Sequence, residues 1–320
     1  MLRDRKFFSV LLVLAVLFAV IISGGCGGGG GGGGDPYYDD YYPPEDYNNS
    51  SYWIDVADTS WYRAELESFT ITTPYELAGI TRLAYDGENF AGQIIYLASN
   101  ISLAGREWTP IKNFAGTLYG QGYTISGVTV SESMSGENLY GFIKNLQENA
   151  LISDVKFTDL YVYAPEAQNV GGISGANDHG TIYNCSVNGD VTGYMGVGLI
   201  VGGNYGYITN CIANGGTVNS HYRLAGGIAG SSYSTVSDCT SYAYVNGDYE
   251  VGGIVGESWT AGGVLTNCEA YGQVSGGSPA GGVAGKIYSS SIISGNKFSS
   301  STGQYYGIGT GSNEGCEKIN

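Results

Sequence analysis

Four cysteines recur at near-constant spacing: Cys185, Cys211, Cys239 and Cys268, separated by 26, 28 and 29 residues. Metal chemistry at such a set would need closely paired ligands of the C-x2-C kind, which this spacing lacks. Disulfide chemistry would need Cα atoms roughly 4.4–6.8 Å apart, a separation that strands stacked ~4.8 Å apart would offer. Burial as small apolar side chains needs neither. The flanking residues favour this last reading. Each cysteine follows by three residues an aliphatic one, Ile182, Ile208, Val236 or Leu265, and Val128 and Val155 hold the same place in earlier segments. The eight residues together read as an interior structural ladder, with Cys316 outside it.

The remaining chemistry-bearing groups are sparse. The two histidines, His179 and His221, precede Gly180 and Tyr222, so no H-E-x-x-H metal motif exists, and no G-x-S-x-G elbow is present. Both read as surface residues. Between Phe157 and Gly285 the only Lys or Arg is Arg223, a poor provision for neutralising a uronate in β-elimination. Hydrolysis of a sugar would need two carboxylates at a set distance. Asp190, Asp238, Asp248 and Glu250 are the candidates, each equally readable as a turn residue or a solvated charge. The Asn-Gly-Asp pieces beginning at 188 and 246 read as turns. The residues alone therefore nominate no catalytic, cofactor-binding or metal-ligating group.

These groups must be positioned by a repeat. "GGISG" at 171, "GLIVG" at 198, "GGIAG" at 226, "GGIVG" at 252 and "GGVAG" at 281 follow one another at intervals of 27, 28, 26 and 29 residues. Each of the first four precedes a second element, such as "YITNCIANGGTV" or "TVSDCTSYAYV". Aligning these elements gives an aliphatic column, Ile125, Ile152, Ile182, Ile208, Val236, Leu265 and Ile292, and a second column three residues on that ends at Gly295. Short runs of period two broken by Gly and Asn turns describe strands, and a unit this small can bury its apolar face only by stacking on its neighbours. The expectation is an all-β fold, a right-handed parallel β-helix, with glycine pairs serving tight or left-handed turns. "TTPYELAGITRLAYDG" predicts a capping helix ahead of the stack, with Thr73 as N-cap, Pro74 at the first position, Glu76 closing a capping box and Leu77, Ile80 and Ala84 facing inward.

The N-terminal region has a different organisation. Basic residues lead into an apolar run, Phe7 to Ile22, shorter than the ~20 residues of a membrane span. Residues 1–25 read as a secretory signal, and Ser23-Gly24-Gly25-Cys26 resembles the lipobox of bacterial lipoproteins, with Ser23 where that family prefers Leu. The resemblance implies acylation of Cys26 and a membrane attachment. Eight glycines and an acidic, tyrosine-rich stretch to Tyr52 then form a disordered tether, whose reach is ~30 Å as a coil and at most ~85 Å extended. The organisation is thus signal (1–25), lipidated tether (26–52), cap and lead-in (53–123) and repeats (124–320). A net charge of −16, with 54 glycines and 28 tyrosines, argues against nucleic acid and suits a soluble exterior.

"GGIAGSSYSTVSDC" and "GGIVGESWTAGGVLTNC", together with the lead-in from Tyr75, resemble the GLUG-motif proteins, a bacterial surface family. Members occur in adhesin-like proteins and as accessory regions of secreted enzymes, including immunoglobulin-cleaving peptidases. The resemblance implies a β-helix displayed outside the cell and leaves the ligand open. The functional expectation is a lipid-anchored, non-enzymatic module in the cell envelope that binds a glycan or a surface protein. The alternatives are a polysaccharide lyase or glycoside hydrolase, and a structural envelope or matrix component. A row of exposed Tyr and Trp would favour glycan binding; a cleft of clustered Asp, Glu and Arg would favour the enzyme.

Overall fold

The computed structural model describes residues 50–131, 137–259, 263–288, 291–304, 306–310 and 312–320. The signal, Cys26 and nearly all of the tether lie outside the described residues. From Ser68 onward the chain winds as a parallel β-solenoid whose strands form sheets of nine, thirteen and seven members. Successive coils pair in parallel across all three sheets, with register shifts in the longest strands, so the strands' backbone N–H and C=O groups meet the coil above or below. The helix Pro74–Tyr85 precedes most of the stack. Thr73 accepts a hydrogen bond from the Glu76 N–H, Glu76 reaches back to the Thr73 N–H, and Leu77 and Ile80 are fully buried in the same core as the coils.

In the nine-stranded sheet Ile152, Ile182, Ile208, Val236 and Leu265 stand above one another and are buried. The column continues through residues that the sequence alignment did not choose. Leu118 precedes Ile152, and Ile293 follows Leu265. Ile125 instead lies in the thirteen-stranded sheet opposite Phe157, and Val128 sits one coil before Leu160. A period of two marks a strand without saying which sheet owns it, so "TISGVTV" and "LISDVKF" looked alike. At the other end Ile292 points outward with 62% exposure. Two adjacent isoleucines invite a one-residue slip, and such a slip exchanges the two faces of a strand.

The cysteine column follows the same register. Cys185, Cys211, Cys239 and Cys268 are buried, free thiols, each donating weakly to a carbonyl two residues back. Asn296, not Gly295, follows Cys268. Its amide donates to the Leu265 carbonyl at 2.8 Å and its oxygen accepts from the Cys268 N–H at 2.9 Å. Cys316 pairs with Asn296 one coil on, which places it in the column's line rather than outside it. Burial pushes the Cys185 and Cys239 thiols up, out of the reactive range. All four thiols are closed off from solvent, so labelling of the native protein should be slow at these positions and fast after denaturation. Fast native labelling of Cys211 would place the column outside the core.

Gly171, Gly198, Gly226, Gly252 and Gly281 also pair in register, but none has a left-handed backbone. Close approach is what selects them. A Cβ on Gly226 would lie 2.0 Å from the Ala229 carbonyl oxygen and 2.7 Å from the Val255 Cα of the next coil. One recurring left-handed turn belongs instead to Asp154, Asn184, Asn210, Asp238 and Asn267, with φ between 51° and 58°, and other glycines, among them Gly196, Gly215, Gly216 and Gly295, take left-handed positions elsewhere. Short polar side chains tolerate this region best, and here they bond along the stack. Asn210 donates to Asn184 at 3.0 Å and Asn267 to Asp238 at 3.1 Å. The glycine pairs thus correct the turn expectation: they are a seam where coils touch backbone to backbone.

Candidate functional site

Where the seven-stranded sheet hands over to the nine-stranded one, four successive coils place an aromatic residue at the same point. Tyr233, Trp259 and Tyr288 each donate their N–H to the preceding coil, at 2.8, 2.9 and 3.0 Å, and Tyr205 begins the series. The rings stack face to face, with centroids 4.6, 5.4 and 4.3 Å apart and planes within 14°. Ring faces are consumed by this stacking, so solvent meets edges and hydroxyls. The Lys286 ammonium lies 4.5 Å from the Tyr288 ring centroid. A second row, Tyr194, Tyr222 and Tyr249, is 40–52% exposed, its first pair stacked at 5.5 Å and its second edge-on at 6.2 Å.

Between the rows lies a charge cluster. Arg223 Nε donates to Glu250 Oε2 at 2.7 Å, and its terminal nitrogen is 3.5 Å from Glu257 Oε2. Lys286 Nζ lies 3.5 Å from Glu250 Oε1 and 4.0 Å from Glu257 Oε1. The Trp259 indole N–H donates to Glu257 Oε2 at 3.0 Å. Glu257 is fully buried, and its Oε1 accepts no hydrogen bond among the described residues. The two cations are spent on two carboxylates, and the aromatic column lies against the deeper of them.

Burial raises the Glu257 carboxyl above its ordinary value of 4.5, and the Glu250 charge adds to the rise; the Tyr288 hydroxyl, Arg223 and Lys286 oppose it. A carboxyl whose native pKa exceeds its unfolded one binds more protons when folded. Its contribution is fully present below the unfolded pKa and is lost as pH rises through the native one. Glu257→Gln should remove that loss. The stability difference between variant and wild type, read from urea midpoints between about pH 4 and pH 8, should shift in the variant's favour as pH rises. A pH-independent difference would show that Glu257 titrates normally.

The sequence candidates disperse. Asp190 accepts the Thr217 N–H at 2.9 Å, Asp238 belongs to the asparagine ladder, and His179 pairs with Asp178 at 2.8 Å on the surface. His221 and Asp248 are exposed beside the Tyr222 and Tyr249 row. Of the four carboxylates weighed for hydrolysis, only Glu250 joins the cluster. Glu257 and the aromatic column were missed. Their signal was in the repeats: the place held by Gly203 and Ser231 becomes Glu257 and then Lys286, which pair in register. Among the described residues no group of three or more His, Cys, Asp or Glu is placed to hold a metal ion.

A parallel β-solenoid with a recurring glycine seam is the class that this geometry defines. Its repeat carries the GLUG motif, and residues 166–192 match that motif's family model. Halomucin of Haloquadratum walsbyi is 32% identical over 149 residues, a match that spans 42% of this chain and 2% of halomucin. A crystal structure from Bacteroides ovatus, assigned as an immunoglobulin A1 protease, aligns at 20% identity and a TM-score of 0.44 over 72% of this chain and 67% of its own.

Proposed function

We propose that this protein is displayed outside the cell, held by a lipid on Cys26, and binds a glycan without cleaving it. The observation that carries the binding half is the exposure of tyrosines on successive coils, in the row Tyr194, Tyr222 and Tyr249 and, on the nine-stranded sheet, at Tyr183 and Tyr207. Tyrosine offers an apolar body and a hydrogen-bonding tip at small entropic cost, which suits a ligand dense in hydroxyls. Hydrolysis would need an acid that touches substrate. Glu257 is buried beneath Trp259, and Glu250 is held by Arg223 and Lys286, so the arrangement supports binding over catalysis. The similarity to a protein named as a mucin is in keeping with an exterior location.

Two measurements test this reading. Purified protein on a glycan and protein array, run beside a reducing-sugar release assay, should bind glycans and release none. Release of sugar would install the hydrolase, binding to proteins alone would install an adhesin for protein, and no binding would leave the structural role. For the anchor, wild type should partition into the detergent phase and Cys26→Ala into the aqueous phase with an unchanged melting curve. Equal aqueous partitioning of both would remove the lipid.

A further inference from the structure

The outward face of the nine-stranded sheet differs from the other two. Its outward positions run from Ser68 and Thr70 through every coil to Ile292 and Ser294, and none carries a charge. This occurs in a chain of net charge −16. Charge is placed on the other faces, with Lys156, Asp190 and Lys297 on the thirteen-stranded sheet and Lys112, Lys144 and Lys286 on the seven-stranded one. Acidic groups flank the face without standing on it: Glu67 precedes its first strand, and Asp154 and Asp238 stand at the adjoining corner, where they accept hydrogen bonds from asparagines and, for Asp154, from Ser153.

Hydroxyls dominate the face. Thr209, Ser237, Thr266 and Ser294 form a row with one residue per coil, and Tyr183 stands at its head. Tyr207 stands diagonally across, opposite Thr181. Tyr183 and Tyr207 are 44% and 54% exposed, and neither ring contacts another aromatic among the described residues. Unlike the corner columns, these two rings have faces to offer. The rows repeat at the strand spacing of ~4.8 Å, close to the advance of one sugar along an extended β-linked chain.

We infer that this face binds a neutral, extended polysaccharide lying along the solenoid axis, with sugars against Tyr183 and Tyr207 and one protein hydroxyl meeting each following sugar. The inference rests on the glycan-binding reading and names its ligand class and its surface. An uncharged face suits an uncharged ligand because no ion on either side loses water without gaining a partner. A protein partner would instead be expected to cover a contiguous apolar centre. Of the aliphatic residues here, Ile94 and Leu151 each stand between hydroxyls, and only Val264 and Ile292 adjoin, at the end of the sheet.

Pull-down of the purified protein with microcrystalline cellulose and with chitin, against a polygalacturonate gel, tests the assignment. Retention is expected on a neutral polymer and not on the acidic gel. Thr209→Glu combined with Ser237→Glu should weaken retention by about tenfold or more, and Tyr207→Ala, which adds no charge to the sheet, should weaken it comparably. Melting curves identify a variant that has lost its fold. Unchanged retention in folded variants, or loss in Tyr222→Ala with these variants intact, would move the ligand to another face. Retention on polygalacturonate alone would overturn the neutral class and leave glycan binding standing. Failure on every glycan, here and on the array, would overturn both.

Discussion

Ile208→Asp should destabilise the protein by several kcal/mol, enough to remove much of the ~5–15 kcal/mol that an ordinary domain possesses. Ile208 is fully buried, with Ile182 on one side and Val236 on the other in exact register. Its neighbours in that column are aliphatic, so an aspartate there would have neither a cation nor a donor. Thr209, one residue on, faces outward, and Thr209→Asp should cost about 1 kcal/mol or less, as surface changes do. Because each coil touches only its neighbours, the loss should be local at first. Hydrogen exchange should show the coils around Ile208 opening ahead of those beside the helix Pro74–Tyr85. If Thr209→Asp were the more damaging change, the inward face would be wrongly assigned.

Gly226→Ala should be nearly as damaging, at about 2–4 kcal/mol, although it adds a single methyl group. That methyl would meet a carbonyl oxygen at 2.0 Å and the next coil's backbone at 2.7 Å, and neither can rotate away as a side chain could. Gly122 is the contrasting case. Its φ is 82° and a Cβ there meets nothing within 4 Å, so Gly122→Ala should cost only the ~1–2 kcal/mol of left-handed backbone. Urea midpoints at constant slope rank the two. Equal costs would mean that the seam can open, and that the repeated glycine pairs answer a conformational need after all.

The parallel solenoid was legible because it is written five times in register, at Gly171 and its four successors. The helix was legible because Thr73, Pro74 and Glu76 state a capping box within four residues. What could not be read was any relation set by the number of residues between sheets. Ile125 and Ile152 look equivalent, yet one coil's lead-in spends its residues differently and puts them in separate sheets. The site was hidden for a related reason. Arg223, Glu250, Glu257 and Lys286 lie in three successive coils, and only stacking brings them together. Trp259, likewise, joins an aromatic row only through the stacking that places it between Tyr233 and Tyr288.

The direction of the inter-coil hydrogen bonds has a mechanical consequence. They lie along the stack, so a pull on the chain at an end coil falls first on that coil, which has a neighbour on one side only, and strips it strand by strand. The glycine seams recur every 26–29 residues, and a coil of that length, once peeled off, pays out ~90 Å of extended chain. In the folded stack the same coil advances only ~4.8 Å. Under tension the protein would lengthen in discrete steps and hold the force near the strength of a single coil, as a load limiter does, and rewinding would need only the next free coil to find the template still in place.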